Sequence, residues 1–190
     1  SMNPQEAMQA GIAFVPQHVA MMDSITVAEN ILAGELPKNK LGFIDWKSVE
    51  REAKERLNKL NLHLDVTKRV EGLGVAEKTM LAIAKALFGN AKLIILDEPT
   101  ASLSRADINR LFDFVKSLKE KGVSFVYISH HLEEVFEICD RVTVMRDGRI
   151  VGTEYVSDID IPKLIVLAAR RCSAVTSSGA TPNTAAAVVE

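Results

Sequence analysis

Little in this 190-residue chain points to a specialised environment. Cysteine is scarce: Cys139 and Cys172 are the two present, and they have no metal-ligand spacing. They read as reduced thiols of a cytosolic protein, not as a disulfide framework. Ten glycines and six prolines exclude collagen-like and low-complexity classes. Charge of one sign is missing too. The 23 Lys and Arg against 25 Asp and Glu leave a net charge of −2, which argues against a dedicated nucleic-acid binder. Long apolar runs are absent: stretches such as 93–96 and 164–169 fall far below the roughly 20 residues of a membrane span. The start, Ser1-Met2-Asn3-Pro4-Gln5-Glu6, lacks the basic and apolar parts of a signal peptide. Ser1-Met2 reads as a cloning scar ahead of an internal fragment.

Hydrophobic residues make up 47% of the chain and charged residues 25%, a globular and not a disordered composition. The length suits one domain, or one domain with a tail. Asn3-Pro4-Gln5-Glu6 predicts a capped short helix ending at Gly11, and residues 12–15 a strand closed by Pro16. Thr26-Val27-Ala28-Glu29 is a capping box for a helix to Ala33, with Gly34 as its stop. Amphipathic spacing predicts helices over 46–60 and 75–88. The run 93–96 suits a strand buried on both faces of a parallel sheet. Ser104 with Asp107 forms a further capping box for a helix to Lys121. A strand over 123–128, a helix over 132–139 and a hairpin about Asp147-Gly148 follow. Strands alternating with helices define an α/β sheet. Residues 170–190 carry little charge and no periodicity, and read as a disordered or appended tail.

The chemistry concentrates in Leu93-Ile94-Ile95-Leu96-Asp97-Glu98-Pro99-Thr100. An apolar strand that delivers an Asp to its carboxyl end can hold Mg²⁺ there, usually through water. A Glu directly after it can polarise an attacking water. The next strand ends in Ser129-His130, so a parallel arrangement sets Asp97, Glu98 and His130 along one carboxyl edge, where open α/β sheets bind ligands. Two acids at the solvent end of a buried strand, with His130 and His131 as a polar loop pair, is the purely structural alternative. For His131 that structural reading is the one adopted.

With these residues in view, the chain resembles the ATP-binding domain of ABC transporters over about residues 3–169. Phe14-Val15-Pro16-Gln17 is similar to the strand and Q-loop, 70–87 to the signature loop and its helix, and 93–98 to Walker B with the catalytic Glu. Ala101-Ser102-Leu103-Ser104 is similar to the D-loop and Ser129-His130 to the H-loop. The wording of 11–17, 26–31, 83–87 and 129–136, together with 147–149, resembles the first ATP-binding half of monosaccharide (ribose/galactose/xylose-type) importers. The resemblance implies a P-loop NTPase-like α/β fold with a helical subdomain inserted over about 26–87. It implies ATP and Mg²⁺ as cofactors, and a second ATP-binding half and a membrane permease as partners. Residues 20–33 would then face the permease. The location implied is cytoplasmic, peripheral to the membrane. Carried over by residue, Gln17 and Asp97 would serve Mg²⁺, Glu98 would be the general base and His130 would sense the γ-phosphate. Gly74, Val75 and Ala76 would form part of the half-site completed for an opposing domain's ATP.

Two departures weigh against activity. A P-loop, Gly-x-x-x-x-Gly-Lys-Ser/Thr, cradles phosphates with backbone N–H groups, and the family places it before the Q-loop. None of the sixteen residues before Gln17 fits. Gly72-Leu73-Gly74-Val75-Ala76-Glu77-Lys78-Thr79 nearly does, but Glu77 sets a carboxylate where phosphate must approach bare backbone, and 65–71 is too polar to be the preceding strand. Second, the signature loop, usually Leu-Ser-Gly-Gly-Gln, reads Leu73-Gly74-Val75-Ala76-Glu77. Gly74 loses the hydroxyl that meets the γ-phosphate, and Glu77 adds negative charge, although the helix N-terminus still offers free N–H groups.

The expected protein is therefore an ABC ATPase sheet without its P-loop strand, a fragment that binds ATP poorly and hydrolyses none. A natural, non-enzymatic module docking on a permease or another ATPase half is the alternative. The missing strand lies, in this superfamily, between the His130 strand and strand 142–145. The open edge is expected to close with 142–145 against 123–128, or with a second copy of the chain.

Overall fold

Side-chain caps set the element boundaries. In the computed structural model, which describes residues 3–146, 148–169 and 187–189, helix α1 (Pro4–Gln9) starts at Asn3. The Asn3 side chain accepts from the Glu6 N–H and the Glu6 carboxylate from the Asn3 N–H, each at 2.9 Å. Gly11, at φ +80°, turns the chain into β1 (Ile12–Val15). The same reciprocal box at Thr26 and Glu29 opens α2 (Val27–Ile31), which ends before the expected Ala33. Helices α3 (Trp46–Lys59) and α4 (Val75–Phe88) fall where their periodicity places them. After β2 (Leu93–Asp97), Ser104 caps α5 (Arg105–Lys119) in a variant way. Its hydroxyl accepts from the Asp107 N–H at 3.2 Å and donates to the Asp107 carboxylate at 2.7 Å. Asp, one methylene shorter than Glu, meets the Ser104 hydroxyl and not its backbone N–H.

Strand β3 (Ser124–Ile128), helix α6 (Leu132–Ile138), the hairpin of β4 (Arg141–Arg146) and β5 (Arg149–Tyr155), and α7 (Ile161–Ala169) complete the main body. Strands β1, β2 and β3 are parallel neighbours, with Val15 beside Leu96 and Asp97 beside Ile128. This register brings the ends of all three strands to one edge. Burial along β2 alternates: Ile94 and Leu96 are fully buried, whereas Leu93, Ile95 and Asp97 are half-buried. The strand is thus sealed on one face, not on both as its apolar run predicts. Leu111, Phe112, Phe114, Val115 and Leu118 of α5 and Met80, Leu81, Ile83 and Ala84 of α4 are buried in the core. Burying a Leu or Phe side chain contributes about 1.5–3 kcal/mol.

The open edge of β3 is closed in neither expected way. Strand β6 (Ala187–Val189) lies antiparallel on it, pairing Val126 with Val188. Strand β4 pairs with β5 alone, in a separate two-stranded sheet, and approaches β6. Bare N–H and C=O groups on an apolar strand are satisfied by the nearest extended segment, and here the chain's own end supplies one. The rest of the expected tail, 170–186 and Glu190, lies outside the described residues, as does Asp147 of the hairpin turn.

The helical part over 26–87 is built on backbone pairing between α2 and the segment before α4. Val27 N–H donates to Lys68 C=O and Ala28 N–H to Val66 C=O, each at 3.0 Å. Asn30 is fully buried, and its amide donates to the carbonyls of Met22 at 3.0 Å and Thr26 at 3.1 Å. Together with the Met22 N–H donating to the Asn30 side-chain oxygen at 3.3 Å, the Met22 bond ties the loop after β1 to α2. Arg56 of α3 pairs with Glu35, beyond the end of α2, at 3.0 Å and with Glu52 of its own helix at 2.7 Å.

Candidate functional site at the sheet edge

The parallel register fixes the site. Asp97 ends β2, and the Glu98 N–H donates to the Ile128 carbonyl at 2.9 Å, continuing the ladder one residue past the strand. Glu98 has φ +44°, in the left-handed region that side-chain-bearing residues avoid. Such a residue costs about 1–2 kcal/mol and is held only by its surroundings. The turn it makes aims the carboxylate across the edge, where Oε1 meets His130 Nδ1 at 2.9 Å. An ionised carboxylate only accepts, so the His130 Nδ1–H donates. The His131 ring packs against the His130 ring at 4.1 Å between centroids. Both members of the pair reach solvent, with 54% of the His130 side chain and 34% of the Glu98 side chain exposed.

Gln17 is exposed two residues beyond β1, on the same carboxyl side of the sheet. Asp97, Glu98, His130 and Gln17 therefore share one edge. Gly74, Val75 and Ala76 open α4, and no hydrogen bond among the described residues joins them to that edge. The free N–H groups expected at this helix start are in part taken. The Glu77 carboxylate folds back to accept from the Gly74 N–H at 3.0 Å. Lys78, on the same turn, pairs with Asp23 at 2.9 Å. The near-match to a P-loop at 72–79 is thus no phosphate cradle. What precedes it is a single 3₁₀ turn (Val70–Gly72), not a strand, and its anion position holds the chain's own carboxylate.

For a metal, the described residues contain no group of three or more His, Cys, Asp and Glu able to hold an ion. Asp97 and Gln17 nonetheless offer hard oxygen donors at the strand ends. That set fits Mg²⁺, which keeps several waters and takes one or two carboxylates plus substrate phosphates.

Sequence reasoning missed a buried polar cluster directly behind the edge. Glu134 of α6 is only 6% exposed. Its Oε2 accepts from the Thr100 hydroxyl at 2.7 Å, the Tyr127 hydroxyl at 2.5 Å and the Ser129 hydroxyl at 3.3 Å. Burial, followed by the bond to Glu134, pushes the Tyr127 phenol well above its ordinary value, so Tyr127 remains a donor. The available signal was an acid at the position four before Ile138, on the apolar face of α6.

A three-stranded parallel core, with Asp-Glu and Ser-His side by side at its carboxyl edge, defines an α/β domain of the P-loop NTPase type. The family model described as ABC transporter matches residues 1–101, and the chain belongs to that family. The ribose import ATP-binding protein RbsA of Bacillus licheniformis is 44% identical over 163 residues, covering 86% of this chain and 33% of that protein. The Bacillus subtilis protein of the same name is 43% identical over the same length. The chain spans about a third of the length of these curated relatives. Among solved structures, an ATP-binding cassette of an ABC transporter in its ADP conformation superposes with TM-score 0.69 at 26% identity, covering 87% of this chain and 70% of that one. A nucleotide-free cassette gives 0.66 at 26% identity, covering 87% of this chain and 71% of that one.

Proposed function

We propose that this chain is part of the ATP-binding subunit of an ABC-type sugar importer, contributing the catalytic edge of its first ATP-binding half. The observation that carries the reading is the Glu98–His130 pair at the end of β2, with Glu98 held in a left-handed turn. The 44% identity to a ribose import ATP-binding protein supports the substrate class. In the assembled site Glu98 takes a proton from the attacking water, and the His130 Nδ1–H holds its carboxylate in place. The outer nitrogen of His130 is left to face a terminal phosphate. Asp97 and Gln17 hold Mg²⁺, which when bound offsets the charge of the phosphates. Gln17 and the exposed loop beyond it link the edge to residues 20–33, the surface we assign to a membrane permease. A second ATP-binding half faces Gly74, Val75 and Ala76. No helix among the described residues is long and apolar enough to cross a membrane, in keeping with a cytoplasmic place at the permease.

No Gly-x-x-x-x-Gly-Lys-Ser/Thr pattern occurs in the sequence, so the chain by itself is expected to hydrolyse no ATP. The test is a chimera. The P-loop-bearing segment of the Bacillus subtilis relative is joined ahead of Asn3, and Mg²⁺-dependent phosphate release is measured. Turnover that falls about 10²–10⁴-fold in Glu98→Gln supports the reading, as loss of a general base should. Turnover indifferent to Glu98 and His130 contradicts it.

A further inference from the structure

Two routes connect Glu98 to His130. The direct one is the 2.9 Å hydrogen bond between the side chains. The other runs behind the edge. Thr100, two residues after Glu98, donates to Glu134, and Ser129, the residue before His130, donates to the same carboxylate oxygen. The Ser129 hydroxyl also accepts from the His131 N–H at 3.0 Å, which fixes the turn that carries His130. Together these contacts close a ring: Glu98, Thr100, Glu134, Ser129, His130 and back to Glu98.

We infer that Glu134 is a positioning residue for the catalytic pair, tying the segment after β2 to the turn after β3 so that Glu98 and His130 remain within hydrogen-bond reach. The inference rests on the reading of Glu98 and His130 as that pair. Three features support it. Thr100, Tyr127 and Ser129 are all at most 4% exposed, so no solvent replaces Glu134 as their acceptor. Every buried side-chain polar atom among the described residues is paired; without Glu134 the Thr100 and Tyr127 hydroxyls, 3.3 Å apart, would share one hydrogen bond between two donors, and the Ser129 O–H would lose its acceptor. Glu98 itself sits in an unfavourable backbone region, so its place depends on neighbours that hold it there. The Glu134 side chain bonds to Thr100, Tyr127 and Ser129 and to neither Glu98 nor His130.

The tautomer of His130 reports the pairing without any nucleotide. In the full chain, the imidazole nitrogens are observed by long-range proton–nitrogen correlation at about pH 8.5, above the ordinary histidine range. Loss of the signal in His130→Gln assigns the residue. Wild type is expected to show the Nδ1–H form, and Glu98→Leu, which removes the acceptor, to shift it toward the Nε2–H form. Glu134→Ala should lower the Nδ1–H fraction by at least about twofold, because the hydrogen bond that selects this tautomer is lost. If Glu134→Ala loses amide dispersion, Thr100→Val decides the matter: it should lower the same fraction, with Thr100→Ser restoring it. An unchanged Nδ1–H fraction in the folded variants overturns the role of Glu134 and leaves the catalytic pair intact. A wild type already in the Nε2–H form, indifferent to Glu98→Leu, overturns the pair itself and the proposed function with it.

Discussion

Glu98 joins stability to function at a single residue. Its left-handed φ of +44° is tolerated by glycine and resisted by any Cβ. Replacing it removes the His130 contact in either case, so the informative comparison is between two replacements. Glu98→Gly should be more stable than Glu98→Ala by about 1 kcal/mol in urea unfolding, with neither competent in the chimera. Equal stabilities would show that the backbone is unstrained there. Cys139 makes a second residue-scale case. Burial pushes its thiol up to about 12, with Lys119 opposing and Asp140 adding to the rise. The folded protein keeps this proton where the unfolded chain releases it. The associated stability is therefore complete below the unfolded thiol's ordinary range and is lost as pH climbs toward about 12. Alkylation at pH 8, mapped by peptide mass, should leave Cys139 unmodified until denaturant is added. Asp97, Glu98 and His130 were legible from strand ends alone, because parallel strands deliver their last residues to one edge. Glu134 was not, since only tertiary packing reveals that an acid on a short helix faces three hydroxyls.

Among the elements, α4 shows the plainest mismatch between local chemistry and role. Its N-cap is Gly74, at φ −67° and ψ 162°, a conformation open to any residue. A Cβ placed there meets nothing nearer than the Glu77 carboxylate oxygen at 3.8 Å. Gly74→Ser should therefore fit and raise stability by a few tenths of a kcal/mol, read from the urea midpoint. By contrast Thr26→Ala at the α2 cap should cost about 1 kcal/mol, since Thr26 and Glu29 satisfy each other's backbone groups. A destabilised Gly74→Ser protein would mean that the Glu77 contact excludes a side chain at the cap. Capping residues foretold most helix starts within one residue, because a cap is a local hydrogen bond. Helix ends were foretold less well: α2 stops at Ile31, with Leu32 as its C-cap, before the expected Ala33.

At the scale of the whole molecule, the family resemblance implies an open outer edge on β3, and among the described residues β6 lies on it. The edge follows from the family order of strands, yet its occupant was not legible. Residues 187–189 carry no distinguishing pattern, and a strand of three small or β-branched residues pairs wherever an edge is free. Ending the chain at residue 186 should uncover the outer edge of β3 and make the protein self-associate with rising concentration in sedimentation velocity. An unchanged sedimentation profile would show that β6 does not protect that edge. The sequence holds no Gly-x-x-x-x-Gly-Lys-Ser/Thr pattern, whereas Asp97, Glu98 and His130 stand together at the carboxyl edge. Titration calorimetry of the full chain with Mg²⁺-ATP tests that division most directly. The account predicts no saturable binding below about 1 mM, a binding free energy weaker than about 4 kcal/mol. Micromolar binding that disappears in Asp97→Asn would contradict it.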